Sequence, residues 1–278
     1  MGSKKMSDKK RFLIIFSILL TCVYLLALSG LYFLQEKMIF LNVRTNQETA
    51  TQLNTLFPKS ELFIETEGAI SLHGWHLPKK NSEILNICFN GNGDEATQVA
   101  YFWHQTLKGA IVTFNYRGYG KSTGKSSQEK LFNDALLIFD TIKAKYPQYK
   151  KIYIIGRSLG TGIACHLASK RDCAGLLLIS PYDSILNISR QNYPIFPVKL
   201  CLRHPFDSQL LADKIEEPTF FIAAKNDSLI PISNSLNLYN QWQSKKEIHY
   251  VPNAGHNNIF QKNEFLTFLK DFYIFAEK

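Results

Sequence analysis

The chain has 278 residues, of which 45% are hydrophobic, 13% aromatic and 20% charged, which excludes a disordered tail, a collagen-like fibre or a small disulfide knot. Much of its net charge of +9 sits at the start, where Lys4, Lys5, Lys9, Lys10 and Arg11 face only Asp8. The remaining charge is scattered, with no Lys/Arg run interleaved with aromatics, so no nucleic-acid partner is expected.

Residues 1–11 read as a basic tail, and Phe12 to Leu34 follow without a single charge. As a helix residues 12–34 span about 34 Å, enough for a hydrocarbon core of about 30 Å. They are expected to form a transmembrane signal anchor. The positive-inside rule then puts the N-terminus in the cytoplasm and the rest of the chain on the extracytoplasmic side. A cleaved signal peptide, cut near Ala27 and Ser29, is the main competing reading, and a buried core helix is a third. Against cleavage, the apolar run continues through Leu31, Tyr32, Phe33 and Leu34, well beyond the roughly 7 to 15 residues of a signal-peptide core. Two lipidation motifs fail: Met6 stands where N-myristoylation needs Ser or Thr, and Thr21 precedes Cys22 where a lipobox prefers a smaller residue.

Residues 35–61 read as a juxtamembrane connector, with polar Asn42 to Asn54 as a spacer or surface helix, and residues 62–278 as one domain. From there short apolar runs alternate with helical patterns: Ile84 to Phe89, Ile111 to Phe114, Ile152 to Ile155, Leu176 to Ile179, Phe220 to Ala224 and Ile248 to Val251. Runs that are apolar without alternation mark parallel strands buried on both faces. Leu131, Ala135, Ile138 and Ile142 share one face of an amphipathic helix that stops before Pro147. The expected fold class is therefore α/β, with a mostly parallel central sheet flanked by helices. Ligands in such sheets bind at the carboxyl ends of the strands.

The cysteines are Cys22, Cys88, Cys165, Cys173 and Cys201. An odd number, without C-x-x-C or a histidine at ligand spacing, indicates neither a zinc site nor a disulfide framework. They read as small buried hydrophobes, with a bridge such as Cys165 to Cys173 left open. Gly124-Lys125-Ser126 resembles part of a phosphate loop, but that loop needs glycine where Tyr119 stands.

The strongest chemical signal is Gly156-Arg157-Ser158-Leu159-Gly160, directly after the run Ile152 to Ile155 and before the helix-compatible Thr161 to Lys170. A serine in a sharp strand-to-helix turn has its hydroxyl lifted out of the sheet, and the flanking glycines avoid collisions there. A serine hydroxyl needs a histidine base, and the histidine needs an acid that fixes its tautomer. His256, in Asn253-Ala254-Gly255-His256-Asn257, follows the last strand. Asp227 follows the strand Phe220 to Ala224. Asp183 and Asp207 are rival acids, and the other histidines fall within strands, a helix or less defined segments. For an oxyanion hole, the Leu159 N–H supplies one donor, and Asn92 in Asn90-Gly91-Asn92-Gly93 is assigned the second.

From Leu62 onward the chain resembles the α/β-hydrolase superfamily, in its membrane-anchored single-pass branch of depalmitoylase-like and lysophospholipase-like serine hydrolases. The resemblance rests on Leu72-His73-Gly74-Trp75, Asn115 through Ser122, Gly156 to Gly160, Pro205-Phe206-Asp207-Ser208 and Asp227 through Pro231. The order Ser, Asp, His also fits. Two departures are Asn90, where the family has His before Gly, and Ala223-Ala224, where His-Gly often precedes the acid. The resemblance implies an α/β-hydrolase fold acting on esters or thioesters without metal or organic cofactor.

The segment of about 181–217 is long for an αβ connection and carries Tyr193, Ile195, Phe196, Val198, Leu200 and Leu202 among prolines. It reads either as a small cap or as residues packed on the sheet. An apolar cap on a membrane-tethered domain suggests a lipid-like acyl substrate, with Tyr193 and Phe196 as substrate-binding residues. Amide or peptide hydrolysis by the same triad, or a non-catalytic membrane-tethered binding protein on a hydrolase scaffold, are the alternatives. The sequons at Asn187 and Asn226 would put a glycan beside Asp227, which favours a host without such glycosylation and a periplasmic domain.

Overall fold

The computed structural model describes residues 7–278. Helix α1 (Asp8–Ile39) carries the apolar run and stands exposed along most of its length. Helix α2 (Gln47–Leu56) follows, capped by the Asn46 side chain, which accepts the Thr49 N–H at 3.0 Å. Then come an antiparallel hairpin, β1 (Glu61–Thr66) and β2 (Ile70–Leu77), strand β3 (Ile84–Phe89), helix α3 (Ala96–Thr106), β4 (Ala110–Phe114) and α4 (Gln128–Lys145). The second half runs β5 (Lys151–Arg157), α5 (Leu159–Ala168), β6 (Gly175–Ile179), the short helices α6 (Ile185–Asn192) and α7 (Val198–Cys201), β7 (Thr219–Ala224), α8 (Ile232–Gln241), β8 (Lys246–Val251) and α9 (Asn263–Glu277).

The eight strands form one sheet in the order β1-β2-β4-β3-β5-β6-β7-β8. β2 pairs antiparallel with β1 and β4, and all pairings from β4 through β8 are parallel. The side-chain period of two splits each central strand between two cores. Leu85, Ile87, Ile152, Ile154, Leu176 and Leu178 pack with residues of α4, α5 and α8 on one face. Cys88, Tyr153, Ile155, Leu177 and Ile179 pack with residues of α2, α3 and α9 on the other. Burial on both faces explains why these strands read as unbroken apolar runs. Each of the six expected strands coincides with an observed one to within two residues.

One expected boundary differs. Residues 35–61 are packed into the domain: Phe40 joins one core, and Ala50 and Leu53 on α2 join the other. The polar residues between Gln47 and Asn54 belong to the outer face of α2, while Ala50 and Leu53, three apart, share the inner one. All five cysteines carry free thiols.

Candidate active site

Ser158 sits between β5 and α5 with φ of 49° and ψ of −120°, a backbone region that costs a non-glycine residue energy and that recurs where a nucleophile is held above a sheet. The glycines on either side are required by close approach. A Cβ at Gly160 would collide with the Phe89 carbonyl at the end of β3, and one at Gly156 would lie 2.8 Å from the Ala164 Cβ. The small residues thus press the start of α5 against the sheet and leave its backbone N–H groups beside the serine.

Ser158, Asp227 and His256 come from three strand ends and meet. The His256 ring lies 2.7 Å from Asp227 Oδ2 through Nδ1 and 2.9 Å from Ser158 Oγ through Nε2. A carboxylate only accepts hydrogen bonds, so Nδ1 carries the proton, and Nε2 is left to accept from the Ser158 hydroxyl. Asp227 Oδ1 is held by the N–H groups of Leu229 at 2.9 Å and Ile230 at 2.8 Å. Burial alone would raise the Asp227 pKa. The hydrogen bond from His256 and those from the two N–H groups outweigh it and hold the carboxyl below its ordinary value. The rival acids are elsewhere: Asp183 is wholly buried and accepts from Ser184 N–H and the amides of Asn187, Asn234 and Asn237. Asp207, its pKa raised by burial, lies beyond the short helices.

The oxyanion-side loop is braced from beneath. Tyr116 donates to the Asn90 carbonyl at 2.6 Å, and Tyr119 donates to the Asn92 carbonyl at 3.1 Å while accepting the Leu41 N–H at 2.7 Å. Burial pushes the Tyr119 phenol up to about 12, so it keeps the proton it donates. The Asn90 side chain is held at both ends: its amide donates to Thr113 at 2.6 Å and its carbonyl oxygen accepts from Trp103 at 3.1 Å. The Gly91 N–H is spent on Asp94 at 2.8 Å. Among the described residues the Asn92 and Leu159 N–H groups donate to no protein acceptor.

One residue here escapes sequence reasoning. Arg157 donates twice to Asp94, at 2.8 and 2.6 Å, and once to the His256 carbonyl at 3.2 Å, with its guanidinium 4.9 Å above the Phe260 ring. It therefore ties together the serine turn, the oxyanion-side loop and the histidine loop. Its position inside the pentapeptide was visible, but its partners are distant in sequence.

A cavity beside His256 is lined by Leu41, Asn92, Arg157, Leu229 and Phe260 among others. Tyr193 and Phe196 do not border it. They line a separate apolar cleft against α1, with Leu28, Leu31 and Tyr32. The reason is that the 193–202 segment turns towards the helix: Tyr24 donates to the Ile195 carbonyl at 3.0 Å, and its ring stacks on Phe196 at 5.2 Å.

Comparison with known proteins agrees with this architecture. Residues 87–203 match the family model described as serine aminopeptidase, S33, and residues 201–272 match that of acetyl xylan esterase. The alpha/beta hydrolase domain-containing protein aho-3 of Caenorhabditis elegans is 30% identical over 70% of this chain, a match that spans 59% of the nematode protein. An uncharacterized membrane protein of Saccharomyces cerevisiae is 27% identical over 78% of this chain and 80% of its own length. Among solved structures, an esterase of Pyrococcus furiosus superposes with a TM-score of 0.63 at 20% identity, covering 80% of this chain and 93% of that one. Est1E from Butyrivibrio proteoclasticus with ferulic acid bound gives 0.63 at 20% identity, over 78% of this chain and all of that one. From its sheet order, its strand-to-helix serine turn and these relatives, the chain belongs to the α/β-hydrolase superfamily.

Proposed function

We propose that the protein is a membrane-anchored serine hydrolase that cleaves carboxylic esters or thioesters of lipid-like acyl groups through an acyl-enzyme. The observation that carries this reading is the continuous chain from Ser158 Oγ through the His256 ring to Asp227, at 2.9 and 2.7 Å. In the first step Ser158 Oγ attacks the acyl carbon while its proton passes to His256 Nε2, and the carbonyl oxygen takes up negative charge. The Leu159 and Asn92 N–H groups accept that charge as hydrogen-bond donors. A lost donor of this kind costs on the order of a hundredfold or more in rate. Collapse of the tetrahedral intermediate breaks the bond to the leaving alcohol or thiol, which takes the proton from His256. Water then repeats the sequence on the acyl-serine and frees the acid. Asp227 stays ionised throughout and holds the imidazolium.

The anchoring half of the reading rests on α1, which near the N-terminus is the one helix among the described residues long and apolar enough to cross a membrane. The match to a serine aminopeptidase model supports a second reading, amide hydrolysis by the same residues. The test is covalent labelling of the detergent-solubilised full chain by a fluorophosphonate, followed by rates on aryl esters, acyl thioesters and aminoacyl amides. Labelling is expected in the wild type and absent in Ser158→Ala, with ester turnover down about 10⁴-fold or more in Ser158→Ala and His256→Ala. A folded wild-type chain that does not label overturns the proposal. Faster turnover of amides than of esters selects the second reading.

A further inference from the structure

Resting on the proposed hydrolase function and membrane anchor, we propose that the 193–202 segment is buried in the bilayer beside α1, and that the cleft between them holds the acyl chain of a membrane glycerolipid substrate. The depth follows from Tyr24. It lies near the middle of the charge-free run, ten residues before Leu34, which is about 15 Å along a helix. There it meets Ile195 and Phe196 through a hydrogen bond of 3.0 Å and a ring stack of 5.2 Å. If α1 crosses the membrane, a segment fastened at that level enters the hydrocarbon with it.

Backbone polar groups in hydrocarbon are best satisfied internally. Among the described residues the N–H groups of Tyr193, Phe196, Val198, Leu200 and Leu202 donate to carbonyls no more than four residues away, Pro194 and Pro197 have none to satisfy, and those of Ile195 and Lys199 have no protein acceptor. Ile195 is 71% exposed and Leu200 85% exposed, large apolar surfaces that water would not favour. The one charge, Lys199, sits on a four-carbon stem, the kind of side chain that can keep its ammonium at an interface while its stem is in hydrocarbon.

Polar contacts resume where helix and segment come back to the interface. Gln35 donates to the Cys201 carbonyl at 3.1 Å and accepts the Arg203 N–H at 2.7 Å. The Arg203 guanidinium pairs with Glu36 at 3.2 Å and lies over the Tyr32 ring at 5.2 Å. This belt sets the level at which the ester of a bilayer lipid sits.

The cleft carries no charged side chain, which suits a hydrocarbon chain and gives a peptide nothing to pair with. Met38 and Ile39 form part of its wall, and Leu41, just beyond, lines the cavity beside His256. One stretch of chain therefore borders both spaces, and the proposal puts the ester end of an acyl chain lying in the cleft at the cavity beside His256.

The experiment uses the full chain in phospholipid nanodiscs. Leu200→Trp and, as a control on α3, Tyr101→Trp add reporters above the native Trp75, Trp103 and Trp242, which are all buried. Acyl chains brominated on the lipid are expected to quench the tryptophan at position 200 and not the one at 101. In parallel, Leu31→Trp and Leu28→Trp fill the cleft from the helix side. Both are expected to slow hydrolysis of a long-chain glycerolipid by about tenfold, the scale of a lost methylene-sized fit or more. Turnover of a soluble short-chain ester should fall by much less than that of the long-chain lipid, and fluorophosphonate labelling of Ser158 reports that the serine is still activated. Absence of quenching at position 200, equal loss on short and long esters, no loss at all, or a loss confined to an S-acylated peptide each overturn the inference. A chain that neither labels nor cleaves any ester sinks the hydrolase reading and the acyl site together, while the quenching still reports where the segment lies.

Discussion

Arg157 is the residue whose role the local sequence conceals. Its side chain is nearly buried, and its Nη1 lies 2.8 and 2.6 Å from the two carboxylate oxygens of Asp94, a charge-assisted contact stronger than a neutral hydrogen bond. Asp94 in turn holds the Gly91 N–H at 2.8 Å, so the arginine positions the oxyanion-side loop and the histidine loop without touching the reacting atoms. Arg157→Met keeps much of the stem but leaves Asp94 without its cation. The expected result is a kcat on a short ester reduced about 10- to 100-fold with KM little changed, and partial recovery in Arg157→Lys. A loss that appears only as a lowered Tm, with kcat intact, would make the residue purely structural. Against this, Ser158, Asp227 and His256 were legible because each follows a recognisable apolar run and its chemistry is declared by residue type. Arg157 was not, since its value comes from Asp94 and His256, brought near only by folding. Tyr193 and Phe196 mark the other limit: their apolar character was legible, but not the turn towards Tyr24 that carries them away from the His256 cavity.

At the level of elements, the parallel strands were readable because burial on both faces writes itself as continuous apolar sequence. The helices α3, α8 and α9 were not anticipated. α8 buries Asn234 and Ser235 beside Leu238, so its inner face has no hydrophobic period, and α9 is aromatic on more than one side, with Leu266 and Phe268 partly packed as well. The α4–α5 contact offers a test of element packing by pH. His166 on α5 stacks on Phe132 of α4 at 4.0 Å with planes 3° apart. Burial, with nearby Lys170, depresses its pKa to about 4 from the ordinary 6.5, and burial with Lys145 does the same to His76 on β2. The unfolded chain takes up these protons below about pH 6.5 while the folded one resists them, so stability falls as pH drops from there towards 4. For the half-buried His166 the loss at pH 5 is about 1 kcal/mol after allowance for solvent screening. His166→Phe keeps the stack and removes the proton site. Its drop in Tm between pH 7 and pH 5 should be smaller than that of the wild type, and an equal drop would show that this ring stays neutral in both states or is charged in both.

For the molecule as a whole, the issue is how a rigid catalytic body is set against a membrane. α1 is no loose tether, because Gln35, Glu36 and Tyr24 are each bonded to the 193–203 stretch and Phe40 continues directly into a core. The helix and the domain thus share one frame, and the orientation of one dictates that of the other. The charge pattern then decides which side the domain occupies: five basic residues against a single Asp8 precede the apolar run, whereas Glu36 and Lys37 cancel just after it. If α1 is the anchor proposed above, the positive-inside rule predicts a cytoplasmic basic end and a hydrolase domain on the far side of the membrane. Lys80, exposed in the turn between β2 and β3, and Lys10 at the start of α1 provide reporters on the two sides. In spheroplasts, a membrane-impermeant maleimide should react with Lys80→Cys above the baseline of the unsubstituted chain, and with Lys10→Cys only after lysis. The reverse pattern would place the hydrolase domain in the cytoplasm and its acyl substrates in the inner leaflet. Labelling of Lys80→Cys only in a soluble fraction, on a chain shortened by the length of α1, would instead mean that the helix is removed and that the contacts of Tyr24 and Gln35 belong to the precursor alone.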